Sequence, residues 1–339
     1  MKTINNVIQI CLSSSLGGVK GCFLLFTLGF TATAQELTKP EDFDLPANTE
    51  MALEITGSYS GDKQIFSQTG GEEYRFNSEG KLAQLKKMIT NNMATQDVYH
   101  YNADGQLTKI DYIFGTKDGG MSSSSTTFSV EKKDKEITYK RRADKGYTAR
   151  TVAYYNAADE LQSKNFYDAK VEPWKKIEYN GTKEYRVKEF KDNKIVSDII
   201  YQNNDQGKLV KQLKFTQPME RKSKEELTTY SYNDKGDLET KLVHYDNQQG
   251  ETPKVMDIHV TEYLYDGDIW VARVAYRHLY YSDPSWVEVT IRRIKTADKM
   301  YSAKDEKAIL DFCKQVYQHY VATKKQAQPP KNEYNEPEK

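Results

Sequence analysis

The chain has 339 residues, 37% hydrophobic and 29% charged, and its 49 Lys and Arg are matched by 49 Asp and Glu. Its aromatic share of 12%, with 25 tyrosines, offers ample surface to bury and excludes a collagen-like or disordered chain. Zero net charge removes the long-range field that draws a protein to nucleic acid or anionic lipid, so no nucleic-acid partner is expected.

Residues 1–34 read as an export signal. Lys2 and Lys20 are the only charges there, Cys22 to Phe30 is an apolar run, and Ala32-Thr33-Ala34 ends it as a small-residue cleavage site. The run is about half the roughly 20 residues that a spanning helix needs, so the chain is expected not to be membrane-spanning. A lipid on Cys22 is disfavoured, because Lys20 precedes the cysteine closely and the apolar run follows it. Cleavage near Ala34 leaves Cys313 as the one cysteine of the mature chain, which must then be held by an ordinary core without a disulfide. The expected destination is the periplasm or the exterior of a Gram-negative bacterium. Residues 35–50, with Pro40 and Pro46 and no apolar period, read as a linker.

From residue 51 to 300 one phrase returns. It stands as YRFNSEGKL (Tyr74 to Leu82), YHYNADGQL (Tyr99 to Leu107), YQNNDQGKL (Tyr201 to Leu209) and YSYNDKGDL (Tyr230 to Leu238). Degenerate copies are AYYNAADEL (Ala153 to Leu161) and YLYDGDI (Tyr263 to Ile269). Tyr-x-Tyr puts two rings on one face of a strand, Asn starts a turn by bonding its own backbone, and Gly supplies the positive φ that closes a short loop through a bulge. Each copy is therefore a β-hairpin, and Asn180-Gly181 and Asp192-Asn193 mark further turns. The fold class is all-β: an antiparallel up-and-down meander of about 14 to 19 strands forming a curved sheet or open barrel. Gly115 to Ser125, with four serines, reads as a flexible loop.

This phrase resembles the YD repeat of the RHS family of bacterial cell-surface and toxin-associated proteins, whose units carry Tyr-x-Tyr-Asp-x-x-Gly-x-Leu. Here Asn mostly replaces the Asp, and the copies lie farther apart than the family's units. The resemblance implies a β-shell and, through it, carbohydrate binding.

After the strands the period changes. Ile309, Phe312, Cys313, Val316, Tyr317, Tyr320 and Val321 recur at helical spacing, so residues 301–324 are expected to form one amphipathic helix, capped by Ser302 and packed on the sheet. Residues 325–339, rich in Gln, Pro, Glu and Lys, read as a disordered tail.

No motif of a reactive constellation is present: no nucleophile elbow, Walker loop, His-Glu-x-x-His or Cys-x-x-Cys. His100, His244, His259, His278 and His319 are scattered without ligand spacing, so neither metal nor cofactor is expected. The aromatic residues of the last long hairpin are the best site candidates. Trp270, Tyr276 and Tyr280 share one strand parity and Trp286 lies close by, as flat rings that could stack on sugar faces or simply pack the sheet. The expected function is a non-catalytic envelope protein that binds a glycan or a protein partner. A hydrolase with a carboxylate pair invisible in sequence, or a carrier of hydrophobic ligands in a half-open barrel, are the alternatives.

Overall fold

A computed structural model of the protein describes residues 38–324 apart from 90–92, 116–119, 145, 147, 169–171, 217–223, 246–253 and 280–285. The signal segment, the proposed cleavage site and the tail lie outside the described residues. The chain forms β1 (Thr49–Ser60), β2 (Ile65–Phe76), β3 (Leu82–Ile89), β4 (Met93–Tyr101), β5 (Leu107–Gly115), β6 (Met121–Lys133), β7 (Glu136–Ala143), β8 (Thr148–Tyr155) and β9 (Leu161–Tyr167). It continues through β10 (Lys175–Asn180), β11 (Glu184–Lys191), β12 (Lys194–Asn203), β13 (Leu209–Thr216), β14 (Lys224–Tyr232), β15 (Leu238–Tyr245), β16 (Lys254–Asp266), β17 (Ile269–Leu279), β18 (Trp286–Thr296) and β19 (Met300–Ser302). One helix, α1 (Glu306–Lys324), follows.

Each strand from β1 to β18 pairs antiparallel with its sequence neighbours, and β1 pairs with β18 from Thr49 opposite Thr296 to Ser60 opposite Trp286. That last pairing closes the meander into a barrel of 18 strands, where the sequence had left an open barrel or curved sheet. Closure removes both sheet edges, which explains how so long a meander avoids edge-to-edge pairing. The short β19 adds only to the end of β18. The expected loop at 115–125 is mostly strand: Ser122 to Ser125 pair with Asp111 to Phe114, because a serine run on a sheet satisfies its backbone in the ladder as well as any other sequence does.

In an antiparallel barrel the turns alternate between two rims, and all six copies of the phrase fall on the same one. In four of them, at Asn77, Asn156, Asn204 and Asn233, the construction repeats atom for atom. Asn77 Oδ1 accepts from the Glu79 and Lys81 amides, and Asn204 and Asn233 treat Gln206 and Lys208, and Lys235 and Asp237, in the same way. Gly80, Gly207 and Gly236 take φ of +68°, +76° and +84°, and in the degenerate copy Asp159 fills that place at +61°. A bulge follows each Leu, as where Arg75 faces Gln84 but Phe76 faces Leu82. The bulge turns the Leu onto the same face as the second aromatic residue.

Successive copies also interlock. The Tyr101 hydroxyl donates to the Leu82 carbonyl at 2.8 Å, Tyr232 to Leu209 at 2.7 Å and Tyr263 to Leu238 at 2.8 Å. Lys208 Nζ reaches the Gly236 carbonyl at 2.6 Å, and Lys235 Nζ the Gly267 carbonyl at 2.7 Å. The copies at 74–82 and 99–107, at 201–209 and 230–238, and at 230–238 and 263–269 are thus tied to one another by tyrosines and lysines of the phrase.

The two faces of the wall differ in surroundings. On one, which carries Tyr74, Tyr139, Tyr179, Tyr185, Tyr201, Tyr230 and Tyr263, burial raises the phenol pKa at every one of these positions. Ile110, Thr126, Val187, Thr228 and Val243 of the same face are buried too, outside both the helix and the strap clusters, as side chains are on the concave side of a single-layer wall, so this is the inner face. The outer face carries ion pairs, among them Arg75 with Glu73, Lys109 with Asp111, and Glu178 with Lys176 and Lys188.

Two segments pack on the wall, one on each face. Helix α1 lies on the outer face of β16 to β18, with Cys313, Val316 and Tyr320 buried against Tyr59, Val274, Tyr276, Val287 and Val289. It begins at Glu306, and Asp305 is its cap, accepting from the Ala308 amide at 2.8 Å; Ser302 instead belongs to β19. Within the span read as a linker, Pro40–Phe43 makes a short 3-10 turn, and Leu45 is buried with Ala52, Tyr74, Phe76, Leu82 and Ile294. Its acids and prolines, which suggested a spacer, serve that turn, with Asp42 Oδ2 accepting from the Thr38 and Lys39 amides. This strap crosses the inner face at the phrase-bearing rim.

Candidate functional site

The four aromatic candidates do not form one surface. Tyr276 is 5% exposed under α1, where its ring meets Tyr320 at 5.3 Å and its hydroxyl donates to Glu262. Trp270, 4% exposed, points to the opposite face, because Leu264 faces Ala272 whereas Tyr265 faces Trp270, a bulge at Val271 that reverses the parity. There its Nε1 donates to Asp44 Oδ2 at 2.8 Å, and Arg292 and Arg273 lie over its ring at 3.5 and 5.0 Å. Tyr280 lies outside the described residues. Trp286, 44% exposed, stands at the rim opposite the phrase turns. A parity argument from sequence fails at a bulge, since one extra residue exchanges the faces of everything beyond it.

The inner face brings together a different aromatic set. Tyr179 faces Tyr185, and Tyr185 faces Tyr201, along three adjacent strands. The Tyr185 and Tyr201 rings stack at 4.7 Å with 7° between planes, and Tyr179 meets Tyr185 at 6.1 Å. Gln212 follows opposite Tyr201, and its Oε1 accepts from the Tyr230 hydroxyl at 2.9 Å. Tyr230 faces Lys241, which faces His259, which faces Arg277. One row therefore crosses the wall from β10 to β17, aromatic at one end and basic at the other. A hollow at the rim, lined in part by Lys208, Tyr230, Tyr232 and Lys235, adjoins it.

Burial raises Tyr179 to about 12 and moves Tyr185, Tyr201 and Tyr230 in the same direction. The phenols accordingly stay protonated at neutral pH, each able to donate as well as accept. At the basic end Asp257 is held by both faces of a fork: Arg277 binds its carboxylate through Nε and Nη2, and His259 Nε2 lies 3.1 Å from Oδ2. Burial pushes the His259 pKa down, with Lys241 and Arg277 acting the same way and Asp257 opposing them.

A carboxylate pair of the kind that sequence could not reveal also exists on this face. Glu54 and Glu72 are direct cross-strand partners. Both are engaged, Glu54 with Arg292 Nε at 2.5 Å and Glu72 with the Tyr74 hydroxyl. Such an arrangement holds the wall together and leaves neither group poised as a general acid. Among the described residues no three His, Cys, Asp or Glu side chains gather as a metal site, and no helix is long and apolar enough to cross a membrane.

Sequence reasoning missed the row because its members come from different hairpins. Tyr201 and Tyr230 open two copies of the phrase, whereas Tyr179 and Tyr185 flank the Asn180-Gly181 turn. The available signal was the first aromatic of the phrase, which faces inward at Tyr74, Tyr99, Tyr201, Tyr230 and Tyr263.

No family model matches the sequence, and no curated protein matches it. Among solved structures, the chain is similar to a porin-like protein from Bacteroides uniformis, at 10% identity and a TM-score of 0.28, over 73% of this chain and 98% of that one.

Proposed function

We propose that the protein is exported to the cell envelope and works there as a non-catalytic, water-facing barrel that binds a saccharide chain on its inner tyrosine row. The observation that carries this reading is the row itself: stacked Tyr185 and Tyr201, continued by Tyr179 and Tyr230 through Gln212. Neutral phenols and an amide in line present ring surface and alternating donors and acceptors, which is the complement of a polyhydroxylated chain. Adjacent strands are about 4.8 Å apart, so the five strand spacings from Tyr179 to Lys241 span about 24 Å. That length suits an oligosaccharide better than a single ring.

Three further observations support the reading. The outer face bears ion pairs where a lipid-facing barrel needs an apolar band. The inner face bears phenols and charges where a hydrophobic carrier needs an apolar cavity. The phrase, with its repeated turn, fits the resemblance to the YD repeat and the β-shell that such a resemblance implies. Export is supported by the sequence of residues 1–34.

The test is retention of the mature protein on a panel of immobilised polysaccharides. Retention that falls at least tenfold in a Tyr185→Ala, Tyr201→Ala variant with an unchanged melting transition supports the proposal. Retention untouched by that change, or absent from the whole panel, overturns it.

A further inference from the structure

The large apolar side chains that stand exposed among the described residues are sorted along the barrel axis. Six of them mark the rim opposite the phrase: Ile65, Met121 and Trp286 open β2, β6 and β18, Met88 is the last residue but one of β3, Trp174 immediately precedes β10, and Val196 lies near the start of β12. Val321 adds the end of α1, which reaches the same rim, since Tyr317 of that helix lies over Gly61 in the turn from β1 to β2. The other two, Val130 and Met300, lie toward the phrase-bearing rim. That rim is of the opposite kind, belted by ion pairs that run from turn to turn: Lys135 to Asp159 at 2.7 Å, Lys183 to Asp205, Lys235 to Asp268 at 2.8 Å and Lys299 to Asp266 at 3.0 Å. The barrel is thus amphipathic from end to end.

We infer that the rim opposite the phrase rests on the surface of a lipid bilayer, its ring of apolar side chains entering the headgroup region while the walls stand in water. A barrel of 18 strands is about 35 Å across, and the ring takes its members from all round it, so one partner meets them together only if it is flat and at least that wide. Their spacing favours lipid over a protein surface. Ile65 and Trp286 flank Ser60, but from β3 to β6 and from β6 to β10 the members are separated by two and three intervening strands. A protein interface is built on a contiguous apolar centre, whereas each of these side chains can enter a fluid surface on its own. Two of the chain's three tryptophans belong to the ring, and an indole, apolar with a single donor, is the side chain that the headgroup region favours. The described turns of this rim carry both signs side by side, Asp62 next to Lys63 and Lys191 next to Asp192, which complements a zwitterionic surface better than an anionic one. Docked this way, the barrel turns the hollow of Lys208, Tyr230, Tyr232 and Lys235, beside the tyrosine row, away from the membrane. The inference does not depend on what that row binds.

The test is flotation of the mature protein, which lacks the apolar run at 22–30, with vesicles of phosphatidylcholine alone and of phosphatidylcholine mixed with phosphatidylglycerol. Flotation with both, equal in low and high salt, is the expected result. A Met121→Ser, Trp286→Ser variant should partition at least tenfold more weakly with its melting transition unchanged, whereas Met300→Ser at the other rim should float like the parent. Acyl chains that carry bromine should quench the parent's emission but not that of a Trp174→Phe, Trp286→Phe variant, in which Trp270 is the one tryptophan left. Absence of flotation, or flotation confined to the anionic vesicles and abolished by salt, overturns the inference. So does an equal loss from Met300→Ser. A lipid-free particle of twice the chain's mass, returned to one chain by the Met121→Ser, Trp286→Ser change, overturns it as well and makes the rim a contact between two copies. Should the double serine variant melt below the parent, the quenching comparison decides alone.

Discussion

Arg292 lies 3.5 Å above the ring of Trp270, and the indole nitrogen beneath it donates to Asp44 of the strap at 2.8 Å. The same guanidinium bonds the Asp44 and Phe43 carbonyls at 2.7 and 3.0 Å and Glu54 at 2.5 Å. One buried cation thus joins the strap, β1 and the bulged start of β17. Removing the ring should leave a large cavity beside a buried charge, a loss of about 3–5 kcal/mol. Trp270→Ala is expected to melt well below the parent and to open residues 38–48 to protease. Trp286→Ala, at the exposed rim, should leave melting unchanged. Equal melting of the two variants would show that the Arg292 cluster does not hold the strap.

The turns offer a comparison at constant chemistry. Gly207 and Gly236 both occupy the left-handed region, but a Cβ on Gly207 meets nothing within 4 Å, whereas one on Gly236 falls 1.9 Å from Lys208 Nζ. Gly207→Ala should cost about 1–2 kcal/mol for the backbone conformation alone. Gly236→Ala should cost that and also displace the lysine from the Gly236 carbonyl, breaking one interlock between copies. Denaturant midpoints decide, and a Gly207 variant less stable than the Gly236 variant would contradict the interlock.

Burial also sets a pH dependence. The folded pKa of His259 lies below its ordinary 6.5, so between the two values the unfolded chain binds more protons than the folded one. Stability from this group is therefore intact above about pH 6.5 and declines as pH falls toward the folded value. His259→Gln should flatten that part of the stability curve. An unchanged slope between pH 7 and 5 in the variant would mean that other groups produce it.

How much of this was legible in sequence follows from where information is local. The phrase predicts its hairpin fully, since Asn77 and Gly80 act on atoms within four residues, and the meander follows by repetition. Barrel closure is not local: it depends on β1 meeting β18 across more than two hundred residues, and no residue of either strand announces it. The strap shows the same limit, because Leu45 looks like a linker residue until Tyr74 and Ile294 are placed beside it. Trp270 shows another, since a single bulge at Val271 reverses the face that alternation assigns. The tyrosine row combines the two: inward orientation was readable in each phrase, but the neighbours of Tyr201 come from a turn without the phrase.

Cys313 provides a last check on the packing of α1. Its thiol is fully buried among Tyr59, Val316 and Tyr320, and burial pushes its pKa up to about 12. Only the thiolate alkylates at a useful rate, so at pH 8 the folded protein should be doubly protected, by access and by ionisation. Iodoacetamide is expected to leave the native protein unmodified over hours and to label it fully in denaturant, with the labelling midpoint following global unfolding. Labelling that rises at denaturant concentrations below that midpoint would instead show α1 leaving the wall before the barrel opens. The contacts argue against such early release, because the helix is tied to the wall near the end of its buried stripe. Asp305 caps its start, and near its end His319 Nδ1 lies 2.7 Å from Glu262 on β16, the same carboxylate that receives the Tyr276 hydroxyl. Glu262→Ala, which removes the acceptor of both contacts, should bring the two labelling transitions apart if that carboxylate is what makes helix and barrel unfold together.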